Sequence, residues 1–477
     1  MMFIGREKEK ETLQRTLESQ ESEMVAVIGR RRVGKTFLVR EAYGELLDLE
    51  ITGLQNTGMK EQIQNFILSL KKRFEAFNFS SPVKNWLEAF RLLADCIDSE
   101  EKEGKRVVFL DELPWFSSHK SGFITALGWF WNSYATRRRD IVLVICGSAA
   151  SWMIQKIIND RGGLHNRVTK RVFLAPFTLH ETEAFLKSRN VNLDRYQIAQ
   201  LYMAVGGIPH YLKEVRGGRT AAQNIQAICL QPTGLLFKEF DRLYPALFES
   251  PEQHIAIVRA LAGTAKGLSR REIIEKINRS DGGTVSRFIE ELVVSGFVSQ
   301  YISFEDKKKE QYYRLTDEYS LLYLKFMENM ENSDEDAWVK MSETAAYKIW
   351  SGYAFENLCL KHIAPIKKAL GISGIFSTSS GFYKPGKKGE PGLQIDLLID
   401  RNDKVINLCE MKFYADVWAL TQKDSEAIRE KIARFKTLTN TKKGIFFTVV
   451  STFGIRQNEH SLGLVDSTLT LDALFEK

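Results

Sequence analysis

Gly29-Arg30-Arg31-Arg32-Val33-Gly34-Lys35-Thr36 is the stretch that decides how this chain is read. It satisfies GxxxxGK[ST] at every specified position. An apolar run of strand type, 24–28, precedes it, and a helix-forming stretch that begins with Phe37 follows. Glycines let backbone N–H groups converge on phosphate oxygens with no Cβ in the way, and the helix N-terminus adds its positive end. In such a loop Lys35 reaches the β- and γ-phosphates of a nucleoside triphosphate, and the Thr36 hydroxyl ligates Mg²⁺. The competing reading is an ordinary glycine-rich strand-to-helix turn. A second run bears on the choice: Val107-Val-Phe-Leu110 leads directly into Asp111-Glu112. Two carboxylates at the C-terminal end of a buried strand stand where open α/β sheets bind ligands. Asp111 would hold Mg²⁺ through water, and Glu112 would polarise the attacking water as general base. Together the two runs predict a site for ATP with Mg²⁺.

Working outward, the first part of the chain alternates short apolar runs (24–28, 107–110, 141–146, 172–174) with longer helical stretches. That alternation predicts an α/β domain with a parallel sheet covered on both faces, residues 1–177. Residues 178–250 read as helical, broken by Gly206-Gly207-Ile208-Pro209. In 251–326 three helices precede two β-type runs, 297–302 and 311–315, the pattern of a winged helix-turn-helix. Ser269 with Glu272 three residues on reads as a capping box there. An acidic stretch, 328–336, serves as linker, and 340–477 returns to a mixed α/β pattern. The whole chain has 477 residues, room for about three domains of about 150 residues. No apolar run approaches the roughly 18–20 residues of a membrane span, and no secretory leader is expected. Five scattered cysteines without a CxxC pair exclude a disulfide framework or zinc knuckle and fit a reducing compartment; the expected location is cytoplasmic. The net charge of +7 permits a nucleic-acid partner without requiring one. The basic runs 30–32, 71–73, 137–139, 307–309 and 387–388 read first as solvated surface.

The combination of motifs resembles the STAND ATPases related to AAA+ proteins, in the archaeal and bacterial group that reads GRRRVGKT. Phe3-Ile4-Gly5-Arg6-Glu7 resembles that family's FxGRE box, which implies that Ile4 and Arg6 lie near the adenine. Ile145-Cys146-Gly147-Ser148 resembles its sensor strand, which implies that Ser148 faces the γ-phosphate; Cys146 departs from the usual Thr and removes a hydroxyl. Leu174-Ala175-Pro176-Phe177 and Gly207-Ile208-Pro209 match the LxPF and GxP signatures, the latter implying a helical lid set against the nucleotide through Pro209. Arg167 stands where the family carries a phosphate-sensing arginine. This likeness covers about residues 1–320.

The C-terminal part carries a second constellation. Asp396 lies on an alternating strand, 393–399, and a polar turn returns the chain through 405–413 with Glu410-Met411-Lys412. Residues two apart on a strand share a face, so Glu410 and Lys412 project together, and a hairpin brings Asp396 alongside. Carboxylates of this kind suit Mg²⁺ or Mn²⁺, and a neighbouring lysine can stabilise a phosphodiester's developing charge. The spacing resembles the PD-(D/E)xK restriction-endonuclease-like nucleases, which implies Asp396 and Glu410 as metal ligands, Lys412 as catalytic lysine and Glu356 as a further ligand from the preceding helix. A water-facing edge hairpin carrying Asp, Glu and Lys is the alternative. Lys431 reads as a solvated lysine rather than a member of this site.

The helix at 284–294 exposes Ser286 and Arg287 but also Glu290 and Glu291, and acidic groups there repel phosphates. Two roles therefore stand for this module: packing inside the protein, or contacting DNA through Arg287 and the loop 307–309. The expected fold is thus α/β: a P-loop NTPase of AAA+/STAND type with helical lid, a winged helix-turn-helix and a restriction-endonuclease-like domain. The expected function is an ATP-hydrolysing switch coupled to a metal-dependent nuclease acting on DNA, with ATP and ADP as ligands and a homo-oligomer expected on nucleotide binding. Its alternative is a signalling or scaffolding ATPase whose last domain binds a partner or nucleic acid without cutting it.

Overall fold

A computed structural model describes residues 3–80, 82–159, 162–279, 282–304, 310–330, 336–386 and 392–477. The loop 307–309, the pair 387–388 and residues 331–335 of the acidic stretch lie outside the described residues. The chain divides into two compact units, Met1–Pro176 and Phe177–Lys477.

In the first unit five strands form one sheet: β1 (Glu23–Gly29), β2 (Leu47–Thr52), β3 (Arg106–Asp111), β4 (Ile141–Gly147) and β5 (Lys170–Leu174). Their order is β2-β3-β4-β1-β5, and every neighbouring pair is parallel. β3 and β4 are buried at every position, the signature of strands covered on both faces. Helix Trp86–Asp98 illustrates how the cover forms. Asn85 caps it by accepting the Glu88 N–H, and Trp86, Phe90 and Leu93 point into an aromatic layer with Phe66, Phe116 and Phe123. β2 is an element that the apolar-run criterion passes over, because Leu47–Thr52 alternates apolar with polar residues. Its Asp48 is buried and ion-paired with Arg73, Lys102 and the fully buried Arg106.

The second unit begins with helices closed by reciprocal capping boxes at Thr178/Glu181 and Thr220/Gln223. Gly207 allows the chain to pass against Phe177, whose N–H donates to the Gly207 carbonyl at 2.7 Å; a Cβ there would lie 2.0 Å from the Phe177 carbonyl oxygen. Three helices, Pro251–Ala262, Arg270–Lys276 and Gly283–Val294, follow, with the capping box at Ser269/Glu272 formed. They accompany an antiparallel sheet in the order β6-β8-β7, from β6 (Leu268–Ser269), β7 (Val298–Ile302) and β8 (Gln311–Leu315). Gly296, with φ 74°, makes the left-handed turn between the last helix and β7.

The remaining sheet contains β9 (Ser377–Lys384), β10 (Leu393–Arg401), β11 (Val405–Lys412), β13 (Gly444–Ser451) and β15 (Ser467–Leu469), ordered β15-β13-β11-β10-β9. β9, β10 and β11 are antiparallel neighbours, whereas β11, β13 and β15 run parallel. Short strands β12 (Trp418–Ala419) and β14 (Ile455–Arg456) pair alongside. Helix Gln422–Thr439 buries Ile428 and Phe435 against Leu398, Leu408 and Phe447 of this sheet. Helix Ala345–Lys361 packs on β11 and carries Glu356. The β7–β8 pair is tied to β9: Phe304 N–H donates to the Gly381 carbonyl at 2.9 Å, and Tyr383 N–H donates to Ser303 Oγ at 3.0 Å.

Candidate functional sites: a phosphate loop and a carboxylate–lysine cluster

The parallel register brings the C-terminal ends of three strands side by side, with Ile28 opposite Gly147 and Leu110 opposite Ile145. From these ends come Gly29, Asp111 and Ser148. Arg32 (φ 70°) and Gly34 (φ 94°) take left-handed conformations that coil the backbone before helix Lys35–Tyr43 starts. Gly29 has a different reason to be glycine. A Cβ there would sit 2.4 Å from the Leu174 carbonyl oxygen on β5, so the loop's first glycine is required by strand packing.

Lys35 is buried and folds back over its own loop, donating to the carbonyls of Gly29 at 3.0 Å and Arg30 at 2.9 Å. Thr36 Oγ1 donates to Asp111 Oδ2 at 2.8 Å, and Asp111 Oδ1 accepts the Glu112 N–H at 2.9 Å. A hydroxyl bonded directly to a buried carboxylate is a donor set that fits Mg²⁺; Thr36 and Asp111 would hold the ion, which neutralises phosphate charge when bound.

Glu112 has φ 50°, and Ser148 holds its carboxylate through both N–H (3.1 Å) and Oγ (2.8 Å). Ser148, the residue after β4, therefore meets Glu112 first, a pairing with no trace in the local sequence because 36 residues separate the two. Arg6 donates to the Ala175 carbonyl at 2.5 Å, which ties the Phe3–Glu7 segment to the Leu174–Pro176 segment. Phe37 is exposed and stacks on Phe3 at 5.8 Å; Ile4 is half-buried beside them in sequence. Arg31 and Val33 complete the loop, half-buried and buried respectively. Arg167 stands on an exposed turn whose N–H donates to Leu164. Pro209 opens a short helix of the second unit.

In the second unit, Leu397 pairs with Cys409, and Asp396 and Glu410 are the residues just beyond that pair on β10 and β11. Lys412 Nζ lies 2.8 Å from Glu410 Oε1, and Lys431 Nζ lies 2.6 Å from Oε2. Burial would push the Glu410 carboxyl up; Lys431 and Lys412 outweigh it and hold the group below its usual range. Lys431 thus joins the cluster rather than the solvent-facing surface, because helix Gln422–Thr439 crosses directly over the strand ends. Asp396 accepts from Gln394 Nε2 at 2.7 Å beside a bulge in the β9–β10 pairing. Burial, with Asp396 adding to it, pushes the Glu356 carboxyl up to about 7 against the pull of Arg314. Arg314 belongs to β8; its Nη2 is 2.9 Å from Glu356 Oε2. Its fork is the one member of this cluster that the sequence reading does not contain, since a lone arginine in Gln-Tyr-Tyr-Arg-Leu carries no motif.

As arranged, these side chains do not fit a divalent ion. Glu410 has both oxygens occupied by lysines, and Glu356 is engaged by Arg314. Among the described residues no group of three or more His, Cys, Asp or Glu side chains is placed to hold a metal. The helix 283–294 also differs from its sequence reading at one place. Glu291 is half-buried and bonded to His254 Nε2 at 2.8 Å, while Ser286 accepts from Arg270 at 2.7 Å.

Residues 3–215 match a family model described as an ATPase domain predominantly from Archaea. An uncharacterized protein of Methanocaldococcus jannaschii, MJECL04, is 20% identical over 416 residues, covering 86% of this chain and 88% of that protein. An uncharacterized ATP-binding protein of the same organism, MJ1659, is 24% identical over 272 residues, covering 48% of this chain and 74% of the relative. Among solved structures, the Walker-type ATPase PABY2304 of Pyrococcus abyssi has a TM-score of 0.48 at 19% identity, covering 68% of this chain and 96% of that one. No described helix is long and apolar enough to cross a membrane.

Proposed function

We propose that this chain, whose residues 3–215 match the model of an archaeal ATPase domain, is an ATP-driven switch that controls a nuclease-like C-terminal domain acting on DNA. The observation that carries the reading is the pre-assembled loop: Lys35 poised over two loop carbonyls, Thr36 on Asp111, and Glu112 held by Ser148. ATP binding draws Lys35 from the Gly29 and Arg30 carbonyls to phosphate oxygens, a stronger charge-assisted partner. Glu112, released from Ser148, then orients the attacking water and takes its proton. In this reading the helices of 178–250 form the lid, and 251–326 form a winged helix-turn-helix that packs within the second unit. That packing is supported by the bonds linking the 303–304 segment to β9.

The nuclease part of the reading rests on the register that sets Asp396, Glu410 and Lys412 on adjoining strand ends beside Glu356. A second reading, a DNA- or partner-binding domain without cleavage, is favoured by the cations that already occupy Glu356 and Glu410. Incubating the full chain with single- and double-stranded DNA, Mg²⁺ or Mn²⁺, and ATP separates the two. Cleavage lost in Asp396→Ala supports the first; binding without cleavage in every nucleotide state supports the second.

A further inference from the structure

The cluster at the ends of β10 and β11 holds three carboxylates, Glu356, Asp396 and Glu410, and three cations, Arg314, Lys412 and Lys431. In the nuclease-like reading only Lys412 has a chemical role. Arg314 and Lys431 are surplus to it, and their summed charge of about +2 equals that of one divalent ion. We propose that these two side chains stand in for the metal. Arg314, delivered by β8, is an internal plug that keeps the site closed to divalent cations in this conformation. The proposal rests on reading the domain as nuclease-like.

Several features distinguish a plug from an ordinary structural ion pair. Arg314 comes from a different sheet from Asp396 and Glu410, and it pairs with Glu356 on the helix Ala345–Lys361. Its guanidinium lies 4.5 Å over the Tyr353 ring, and it is 4% exposed. Yet its Nε is buried with no hydrogen-bond partner, so the group is only partly satisfied where it sits. A pair selected for stability alone would be expected to satisfy that donor. β8 is latched to the Glu356 helix next to the plug: Tyr353 OH and Asn357 Nδ2 both donate to the Leu315 carbonyl, at 3.1 and 3.2 Å. A cavity of about 190 Å³ opens beside the cluster, lined by Lys266, Tyr301, Arg314, Ser380, Gln394 and Asp396. It leaves room for several waters on the side where Arg314 and Asp396 share a wall. Movement of the β8 strand by one side chain's length would break the Arg314–Glu356 pair and draw the guanidinium away from the cavity wall it shares with Asp396.

The test is Mn²⁺ binding to the full-length, nucleotide-free protein, followed by the loss of the free-ion EPR signal. Arg314→Met keeps the volume and removes the charge. We expect it to bind one Mn²⁺ more than wild type, at least about tenfold tighter than any wild-type binding at this site, and to lose that ion in Arg314→Met/Asp396→Asn. Lys431→Met, on a helix face that solvent reaches, should raise affinity by a smaller factor and guards against a folding failure of the first variant. Asp396-dependent binding by wild type as tight as that of Arg314→Met would overturn the plug while leaving the metal-site reading intact. Absence of Asp396-dependent binding in both folded charge-removal variants would overturn the plug and the nuclease-like reading beneath it.

Discussion

His362 offers a perturbation whose size follows from the structure. It is 2% exposed, its Nε2 accepts the Leu179 N–H at 3.0 Å, and its Nδ1 must therefore carry the proton shared with the Leu358 carbonyl at 2.7 Å. Both ring nitrogens are used by the neutral form, and burial pushes the imidazole down to about 4 from 6.5. The unfolded chain takes a proton first, so the stability that His362 contributes is present above pH 6.5 and drains away as pH falls toward 4. The full shift corresponds to about 3.4 kcal/mol, of which about 2 kcal/mol is lost by about pH 5. Glu356, pushed up to about 7, runs the other way over the same window, so the wild-type curve alone does not isolate His362. The variant His362→Gln isolates the effect, because its amide can accept the Leu179 N–H without titrating. Urea unfolding followed by tryptophan fluorescence should show the wild-type advantage over His362→Gln shrinking by about 2 kcal/mol between about pH 7.5 and about pH 5. An advantage that stays constant across that range would refute the argument.

Other consequences are equally direct. Lys35→Ala should abolish tight ATP binding, because the phosphates lose their cationic partner; unchanged affinity by isothermal titration with a non-hydrolysable analogue would remove the phosphate-loop assignment. Gly207→Ala should cost about 3 kcal/mol or more, read as a lowered Tm, since its Cβ would meet the Phe177 carbonyl oxygen at 2.0 Å. Arg287→Ala should leave any DNA affinity and its salt dependence nearly unchanged if the 251–326 module packs internally; a slope reduced by about one unit would assign Arg287 to a phosphate.

The parallel sheet was legible because β1, β3 and β4 are continuous apolar runs whose lengths and flanking turns leave few alternatives. β2 and β9 were not, since Leu47–Thr52 and Ser377–Lys384 mix polar residues into half-exposed strands. Within the candidate sites, residues close in sequence or fixed by a loop pattern could be read directly, as with Lys35 and Thr36. Contacts set by tertiary packing could not: Ser148 on Glu112, Lys431 on Glu410 and Arg314 on Glu356 join side chains between 21 and 42 residues apart. Gly29 shows the intermediate case. Its identity is predicted by the phosphate loop, but the carbonyl that forbids a side chain there belongs to β5.

The central claim is that Glu112 activates water beside an ATP bound by Lys35 and Thr36. Steady-state phosphate release from Mg²⁺-ATP by the full chain, wild type against Glu112→Gln, tests it most directly. Glu112→Gln should bind nucleotide like the wild type and hydrolyse it at least about 10²-fold more slowly, the scale of lost general-base assistance. Equal rates in the two proteins, or no hydrolysis and no tight binding by wild type, would contradict it.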